Sequence, residues 1–343
     1  MPISGYSKAN RRPMNVHVMR GSPAELKYRS LAGVADLEPA QIAPGIAPTP
    51  THDLLYHGGK TIQDLTFTNY YVGEKAWNIR DIKNIDAALD ASMSDPNLNN
   101  VMAQYFARVP TSTFIPSTLL PGPAPDTMSQ GDVENLVSDL FDSGTFESFD
   151  LTSTVFNFML PRGTILNDNP APGANRGSTD TDVRRPSVPE AEEADSLHGL
   201  GGYHGSVQIH GMTIYYAVGV YSESANGKTN GIPVFDAPWK NVVATFYHEL
   251  NEARTDPDVE RVIKGGASSL LGWTSSQGEE CGDFPVFEAN PLGQVFQEVT
   301  LVDGDTAPVQ FQYSNYVHGP EGPATTARPA SKLVARHKKR RAA

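Results

Sequence analysis

The sequence predicts an α+β fold in which a mixed β-sheet packs against helices. Residues 154–160 form a nearly continuous apolar run, which is typical of a buried central strand, and residues 62–72 predict a second strand. Between these two strands, residues 80–108 carry a helical periodicity that breaks near Asp95, which predicts two helices. A further amphipathic helix is predicted over residues 239–255. We therefore expect strands and helices to share one hydrophobic core.

Weaker patterns predict the remaining elements. Residues 132–141 have the spacing of a short helix, whereas residues 110–130 are rich in Pro, Ser and Thr and are expected to form a loop. Strands are predicted over residues 207–209 and 212–221, joined by a turn at His210. The sequence contains no evident internal repeat.

The elements are expected to form a single domain over residues 55–320. Residues 1–54 interleave Pro with Ala and Gly, which predicts a flexible leader. An insert near residues 167–195 is expected to be disordered, because it is rich in Pro, Gly and acidic residues and has no periodicity. Residues 321–343 predict a basic, disordered tail.

Composition argues against several classes of protein. No apolar run approaches the length of a membrane-spanning helix. The N-terminus carries no recognisable signal peptide, so a cytoplasmic location is the default expectation. The single cysteine, Cys281, excludes an internal disulfide framework and a Cys-rich zinc site. The sequence indicates no oligomeric state.

The formal net charge of −12 is unevenly distributed along the chain. Residues 328–343 carry seven Lys or Arg and no acid, whereas residues 31–327 carry 14 basic and 38 acidic side chains. An acidic body argues against a nucleic-acid surface there and suits cation binding. The basic tail could contact nucleic acid or anionic lipid, although a solvated tail is the simpler interpretation.

The predicted helix over residues 239–255 carries a His-Glu-x-x-Glu array formed by His248, Glu249 and Glu252. Zinc proteases usually carry His-Glu-x-x-His on a helix, with two metal ligands one turn apart and a glutamate that activates water. Here a carboxylate replaces the second histidine, and carboxylate oxygens are accepted zinc ligands. The array therefore predicts metal ligation by His248 and Glu252.

The polar residues of this helix lie on one side of its apolar stripe. On a helical wheel, His248, Glu252 and Asp256 fall within about 80° of one another, at the border of the stripe. A border position suits the floor of a cleft, where clustered carboxylates would repel one another unless a cation compensates. The alternative is that these acids lie on the helix surface and pair with Arg254 or Lys240.

A third metal ligand is expected beyond the array. Residues 278–283 form a glycine-bracketed turn that can direct its acidic side chains inward, so Glu280 and Asp283 are candidates. Asp256, at the end of the helix, is another candidate. The alternative is a Gly-rich surface turn whose acids are incidental.

Several short segments resemble the exordium/phosphate-induced-protein family and especially its bacterial members. They occur in the family's order over about residues 55–290, and they are Tyr56-His57-Gly58-Gly59, Tyr203-His204-Gly205-Ser206, Met212-Thr213-Ile214-Tyr215-Tyr216-Ala217-Val218, His248-Glu249-Leu250-Asn251-Glu252-Ala253-Arg254-Thr255-Asp256-Pro257, Gly272-Trp273 and Glu280-Cys281-Gly282-Asp283. The resemblance implies a zincin-like body with its active-site helix near residues 239–255, without implying catalysis. Plant members are secreted and cysteine-bearing, whereas this chain has one cysteine and no recognisable signal.

Metal chemistry predicts a zinc peptidase that acts on a peptide or protein substrate. Zinc held by His248, Glu252 and a third carboxylate would lower the pKa of a bound water. Glu249 would then take the proton of that water as it attacks a peptide carbonyl.

Contacts to the substrate are predicted on the preceding strands. Residues 212–221 could be the sheet edge that pairs with an extended peptide. His204 or Tyr203 could stabilise the oxyanion, although packing in the core or in a loop is the simpler interpretation for either residue.

Two other functions stay open at this level. Two carboxylates would make zinc a poorer Lewis acid than two imidazoles do, and oxygen-rich ligation also suits calcium or manganese. A non-catalytic zincin-like module that binds a partner or glycan, with a structural metal or none, is therefore the main alternative. The other is an acidic scaffold in which the array is incidental.

Overall fold

The computed structural model describes residues 15–32, 43, 45–169, 194–225 and 227–334. Its strands, in chain order, are β1 (Val16–Val18), β2 (Leu55–Tyr56), β3 (Asp64–Tyr71), β4 (Thr111–Leu119), β5 (Thr127–Met128), β6 (Thr154–Met159), β7 (Ile165–Leu166), β8 (Leu200–Ile209), β9 (Met212–Gly219), β10 (Glu223–Ala225), β11 (Lys228–Asn230), β12 (Trp273–Thr274), β13 (Phe296–Thr300), β14 (Thr306–Gln310), β15 (Gln312–Ser314) and β16 (Gly319–Glu321). Its α-helices are α1 (Pro23–Ala32), α2 (Ile79–Ser94), α3 (Pro96–Met102), α4 (Gln130–Asp142), α5 (Pro238–Thr255), α6 (Val259–Ile263) and α7 (Asp283–Glu288).

The largest sheet is mixed, with six strands in the order β1-β8-β9-β6-β3-β4. β3 is parallel to β4 and β6, β6 is parallel to β9, and β8 is antiparallel to both β9 and β1. All residues of β6 are buried, because it lies inside the sheet and both of its faces are covered. The predicted α+β class with a mixed sheet and the predicted central strand are both confirmed.

Helices cover both faces of this sheet, so alternate residues of each strand enter different cores. On β6, Phe156 and Phe158 pack with Val133 and Val137 of α4, whereas Val155 packs on the opposite face. That opposite face is covered by apolar side chains of α2 and α5, which are Ile82, Ile85, Leu89, Val242, Val243, Phe246 and Leu250. α5 is therefore fixed directly against the sheet.

Local sequence signals account for where the helices of residues 79–102 begin and end. The side chain of Asn78 caps α2, and the side chain of Asp95 accepts a hydrogen bond from the backbone N–H of Leu98 at the start of α3. Pro96 occupies the first turn of α3, where its missing N–H costs nothing. The predicted pair of helices with a break at Asp95 is confirmed, as are the predicted helices α4 and α5.

The predicted loop at residues 110–130 is wrong in its first half, because Thr111–Leu119 forms the edge strand β4. The register of β4 against β3 shifts around Pro116, between the Ile115 and Thr118 pairings. A proline lacks the N–H that a central strand needs, but an edge strand with a register shift tolerates it. The Pro, Ser and Thr content that predicted a loop is thus compatible with an edge position.

The ends of the predicted domain also differ from the structure. β1 lies inside the predicted leader of residues 1–54, yet Val16 and Val18 are buried and pair with β8. In the predicted tail of residues 321–343, the backbone N–H of Arg328 bonds to the carbonyl of Asn100, and Val334 is buried. Both segments bury apolar side chains against the rest of the protein. Composition alone does not indicate such long-range packing. Residues 1–14, 170–193 and 335–343, including most of the predicted insert, lie outside the described residues.

None of the helices in the described part of the chain combines the length and the apolar character that crossing a bilayer requires.

Candidate metal centre

α5 carries the His-Glu-x-x-Glu array between the sheet and the strands that follow it. The helix starts at Pro238, and its other face contacts α2 and β14. His248, Glu249 and Glu252 are each 0% exposed. The sequence predicted that the array lies at the floor of a cleft, but in the structure it is buried. Other segments of the chain cover the polar border of the helix.

The contacts of His248 leave its Nε2 atom free to act as a ligand. Its Nδ1 lies 2.7 Å from Oε1 of Gln310, and Nε2 of that same amide donates to the carbonyl of Gly282 at 2.7 Å. Because an amide oxygen can only accept, Nδ1 donates to Gln310, which leaves Nε2 as the ring nitrogen that faces the acids. Nε2 lies 3.1 Å from Oε2 of Glu252. The helix thus presents two donor atoms side by side, as the sequence predicts.

The turn before α7 brings Asp283 to these two residues. Oδ2 of Asp283 accepts from the backbone N–H of Glu280 at 2.8 Å, and Oε1 of Glu252 accepts from the N–H of Gly282 at 2.9 Å. These bonds dock the turn on α5. His248, Glu252 and Asp283 each place a ligand atom within 4.8 Å of the others.

His204 joins the cluster from β8. Its Nδ1 lies 3.3 Å from Oε2 of Glu249 and 3.8 Å from Oε2 of Glu252, while its Nε2 lies 3.6 Å from Oε2 of Glu280. His204, Glu252 and Glu280 form a second group whose ligand atoms lie within 4.8 Å of one another. The residue predicted to contact substrate is therefore placed among the predicted ligands.

Tyr203 and Asp256 do not join either group. Tyr203 is the neighbour of His204 on a strand, so its side chain points to the opposite face, where its ring packs edge-on against Tyr216 at 6.4 Å. Tyr203 therefore lies apart from the acids that surround His204, and its predicted contact with substrate stays a prediction. Oδ1 of Asp256 accepts from the backbone N–H of Gly272 at 2.8 Å, which ties the end of α5 to the following segment.

Two residues of the site were missed from the sequence, His17 and Gln310. The imidazole of His17 in β1 stacks on that of His248, with ring centroids 4.0 Å apart and planes inclined by 17°. His17, His248 and Glu249 form a third group of possible ligands. In the sequence around His17, the alternation of Val16, His17 and Val18 indicates a strand. No local sequence pattern indicates that His17 or Gln310 contacts α5.

The electrostatics of the cluster are unfavourable in the absence of a cation. Burial raises the pKa of the carboxyls of Glu249, Glu280 and Asp283 well above their ordinary values, and neighbouring acids, Glu252 foremost, raise it further. Burial also lowers the pKa of His204 to about 4, although Glu252 opposes this shift.

Basic side chains do not compensate for these acids. Among the described residues, the ion pairs of Glu249, Glu252 and Glu280 involve histidine only, with no lysine or arginine. The buried guanidinium of Arg254 instead donates to Asn99 and to two backbone carbonyls, which argues against the alternative of surface acids that pair with Arg254. Lys240, the other partner named in that alternative, pairs with Asp236 and Glu298.

The donor atoms of the cluster also lack hydrogen-bond partners within the described structure. They are Nε2 of His204, Nε2 of His248, Oε1 of Glu249, Oε2 of Glu252, both carboxylate oxygens of Glu280 and Oδ1 of Asp283. Leaving a buried polar atom unpaired costs roughly 1–3 kcal/mol. Metal–ligand bonds of about 2.0–2.2 Å would separate adjacent ligands by about 3.3 Å, close to the His248–Glu252 distance. The residues therefore fit a divalent cation.

Comparison of the chain with protein-family models, with curated proteins and with solved structures finds no match. The resemblance to the exordium/phosphate-induced-protein family stays a prediction from the sequence.

Proposed function

We propose that this protein is a zinc-dependent peptidase with a zincin-like body, in which His248, Glu252 and Asp283 hold the ion. The observation that supports this proposal is the convergence of unpartnered donor atoms from α5 and from the turn before α7. The cluster combines excess negative charge with a histidine whose free nitrogen faces inward. Such a cluster is stabilised by a bound divalent cation.

Asp283 is the preferred third ligand because of what its two oxygens do. Oδ2 accepts from the backbone N–H of Glu280, whereas Oδ1 has no partner among the described residues, and one carboxylate oxygen of Asp283 lies within 4.8 Å of ligand atoms of His248 and Glu252. Asp256 falls in none of the ligand groups found among the described residues, and its Oδ1 anchors Gly272.

Glu249 is proposed as the general base. When bound, zinc would supply Lewis acidity and would lower the pKa of a coordinated water. Glu249 follows His248 in the helix, its Oε1 has no described partner, and one of its carboxylate oxygens lies within 4.8 Å of ligand atoms of His17 and His248. Oε2 of Glu249 lies 3.3 Å from Nδ1 of His204, which fixes the orientation of the carboxylate. Glu249 would accept a proton at Oε1, and His204 would act as a positioning residue.

The expected substrate edge needs correction, because β9 lies between β8 and β6 and is not an edge. β1 occupies the outer side of β8 at residues 200–203 and runs antiparallel to it. An extended peptide that paired with β8 beside the cluster would have to take the place of β1.

A second candidate function is a non-catalytic module with a structural metal. The complete burial of His248, Glu249 and Glu252 favours it, since a structural site needs no access for substrate. Both candidates require the metal, but only the first requires the carboxylate of Glu249 as a base.

The variant Glu249→Gln separates the two candidates. We expect it to keep its metal content, measured by plasma mass spectrometry, while cleavage of casein or of a peptide library falls by about 10²-fold or more. Glu298→Gln, at an exposed site on β13, is the matched control and should cleave normally. Wild-type protein that holds metal without cleaving any substrate would favour the structural role. Wild-type protein without metal would overturn both candidates.

A further inference from the structure

We infer that the cluster binds a second divalent cation, held by His204 and Glu280, with the carboxylate of Glu252 bridging the two ions. This inference rests on the proposed zinc site and extends it to a two-metal centre. The two ions would occupy the two ligand groups that share Glu252.

The geometry gives two separate sets of donors. His248 and Asp283 belong to one group, and His204 and Glu280 belong to the other, while Glu252 belongs to both. Oε2 of Glu252 lies 3.1 Å from Nε2 of His248, and a ring nitrogen of His204 lies within 4.8 Å of a carboxylate oxygen of Glu252, so Glu252 is within reach of both histidines. Paired metal ions in proteins lie about 3.5–4 Å apart, a span that one carboxylate can bridge.

Three donor atoms of the second group lack a hydrogen-bond partner. Both carboxylate oxygens of Glu280 and Nε2 of His204 are without a hydrogen-bond partner among the described residues. The two side chains are 0% exposed, so within the described structure bulk water does not reach them. Nε2 of His204 lies 3.6 Å from Oε2 of Glu280, which is a reasonable separation for two ligands of one ion.

The charge of the cluster also exceeds what one ion can balance. Its carboxylates are those of Glu249, Glu252, Glu280 and Asp283, and no lysine or arginine of the described chain is among their ion pairs. With all four ionised, one divalent ion would leave a formal charge of about −2, and two would leave about 0. Protonation of the remaining carboxyls is the competing explanation, and it predicts a single ion.

The ligand set restricts the kind of ion. One imidazole with two carboxylates suits zinc or manganese, whereas a site for magnesium or calcium would be built from oxygen alone. We therefore expect zinc, or manganese in its place, at the second position.

Metal stoichiometry tests this inference directly. Full-length protein is stripped with a chelator, reloaded with zinc, desalted and measured by native mass spectrometry and plasma mass spectrometry. We expect two zinc ions per chain in the wild type and in Glu298→Gln, and one in His204→Asn and in Glu280→Gln. One ion in the wild type would overturn the inference and leave the proposed zinc site standing, whereas no ion would overturn both.

A second measurement covers the case in which a variant fails to fold. Wild-type protein loaded with manganese should give the electron paramagnetic resonance signal of an exchange-coupled pair. A spectrum of isolated manganese ions at saturating load would contradict the inference. Unchanged zinc stoichiometry in folded His204→Asn and Glu280→Gln would also contradict it.

Discussion

Gly282 shows how closely the backbone approaches the candidate ligands. A Cβ atom built at this position would collide with the imidazole of His248, because the turn before α7 passes directly beside the ring. The backbone angles of Gly282, φ −95° and ψ −26°, are allowed for any residue. Glycine is therefore required here for space beside His248, and backbone conformation does not require it.

We predict that Gly282→Ala lowers zinc affinity by about 10–100-fold without removing a ligand, because the ring of His248 has to move. The affinity is measured by competition with a chromophoric chelator. Gly293→Ala is the control, since a Cβ there meets no atom within 4 Å, and it should bind zinc normally. Equal affinity of Gly282→Ala and wild type would show that His248 is not a ligand.

At the scale of elements, a single buried acid joins the short helix α6 to β8. Oε2 of Glu260 accepts from the backbone N–H of Ser206 at 2.5 Å, and Oε1 lies 3.0 Å from Nζ of Lys264. Burial raises the pKa of Glu260 from 4.5 to about 7, although the charge of Lys264 opposes the shift. We therefore expect the contribution of Glu260 to the stability of the fold to depend on pH.

The sign of this dependence follows from the raised pKa. The folded state binds the proton more tightly than the unfolded state, so the contribution of Glu260 is fully present below pH 4.5 and is lost as the pH rises through about 7. We compare the free energy of unfolding of Glu260→Gln with that of the wild type at pH 5 and at pH 8. The value for the variant minus the value for the wild type should increase from pH 5 to pH 8 by at most about 3 kcal/mol. Urea unfolding at both pH values measures this difference. Glu298→Gln should show no such trend, and a parallel response of both variants would refute the assignment.

At the scale of the whole molecule, the cluster connects segments that are far apart in the chain. His17 comes from β1, His204 from β8, His248 from α5 and Gln310 from β14, and all are buried around one point. A cation bound there would hold the N-terminal strand, the sheet, the helix and the later strands together. Metal binding and folding should consequently be coupled.

We predict that zinc raises the melting temperature and that a chelator lowers it. Zinc at a free concentration about 100-fold above its dissociation constant stabilises the folded state by about 2.7 kcal/mol, which corresponds to a shift on the order of 5 °C. Differential scanning fluorimetry with zinc and with chelator measures the shift. His248→Ala, which lacks one ligand of the proposed zinc site, should respond more weakly than the wild type to both additions. An identical melting temperature of the wild type under both conditions would speak against a metal in the folded protein.

The sequence by itself determined the elements that local periodicity encodes, namely β3, β6, α2 to α5 and the His-Glu-x-x-Glu array on α5. It also proposed the residues of the turn before α7 as partners of that array, from glycine and acid spacing alone. The predicted elements are confirmed because side-chain periodicity and helix caps act over a few residues, whereas the roles of the site residues stay predictions.

Only the tertiary structure decided which residues meet at the array. In the folded protein, His17 and Gln310 contact His248, and His204 lies among the acids. Tyr203 lies on the opposite face of β8, because strand pairing and the alternation of strand faces set these positions. The fold also covers the polar border of α5, which the helical wheel alone would leave at the floor of a cleft. Contacts between residues more than 200 positions apart depend on the whole fold, so no local pattern encodes them.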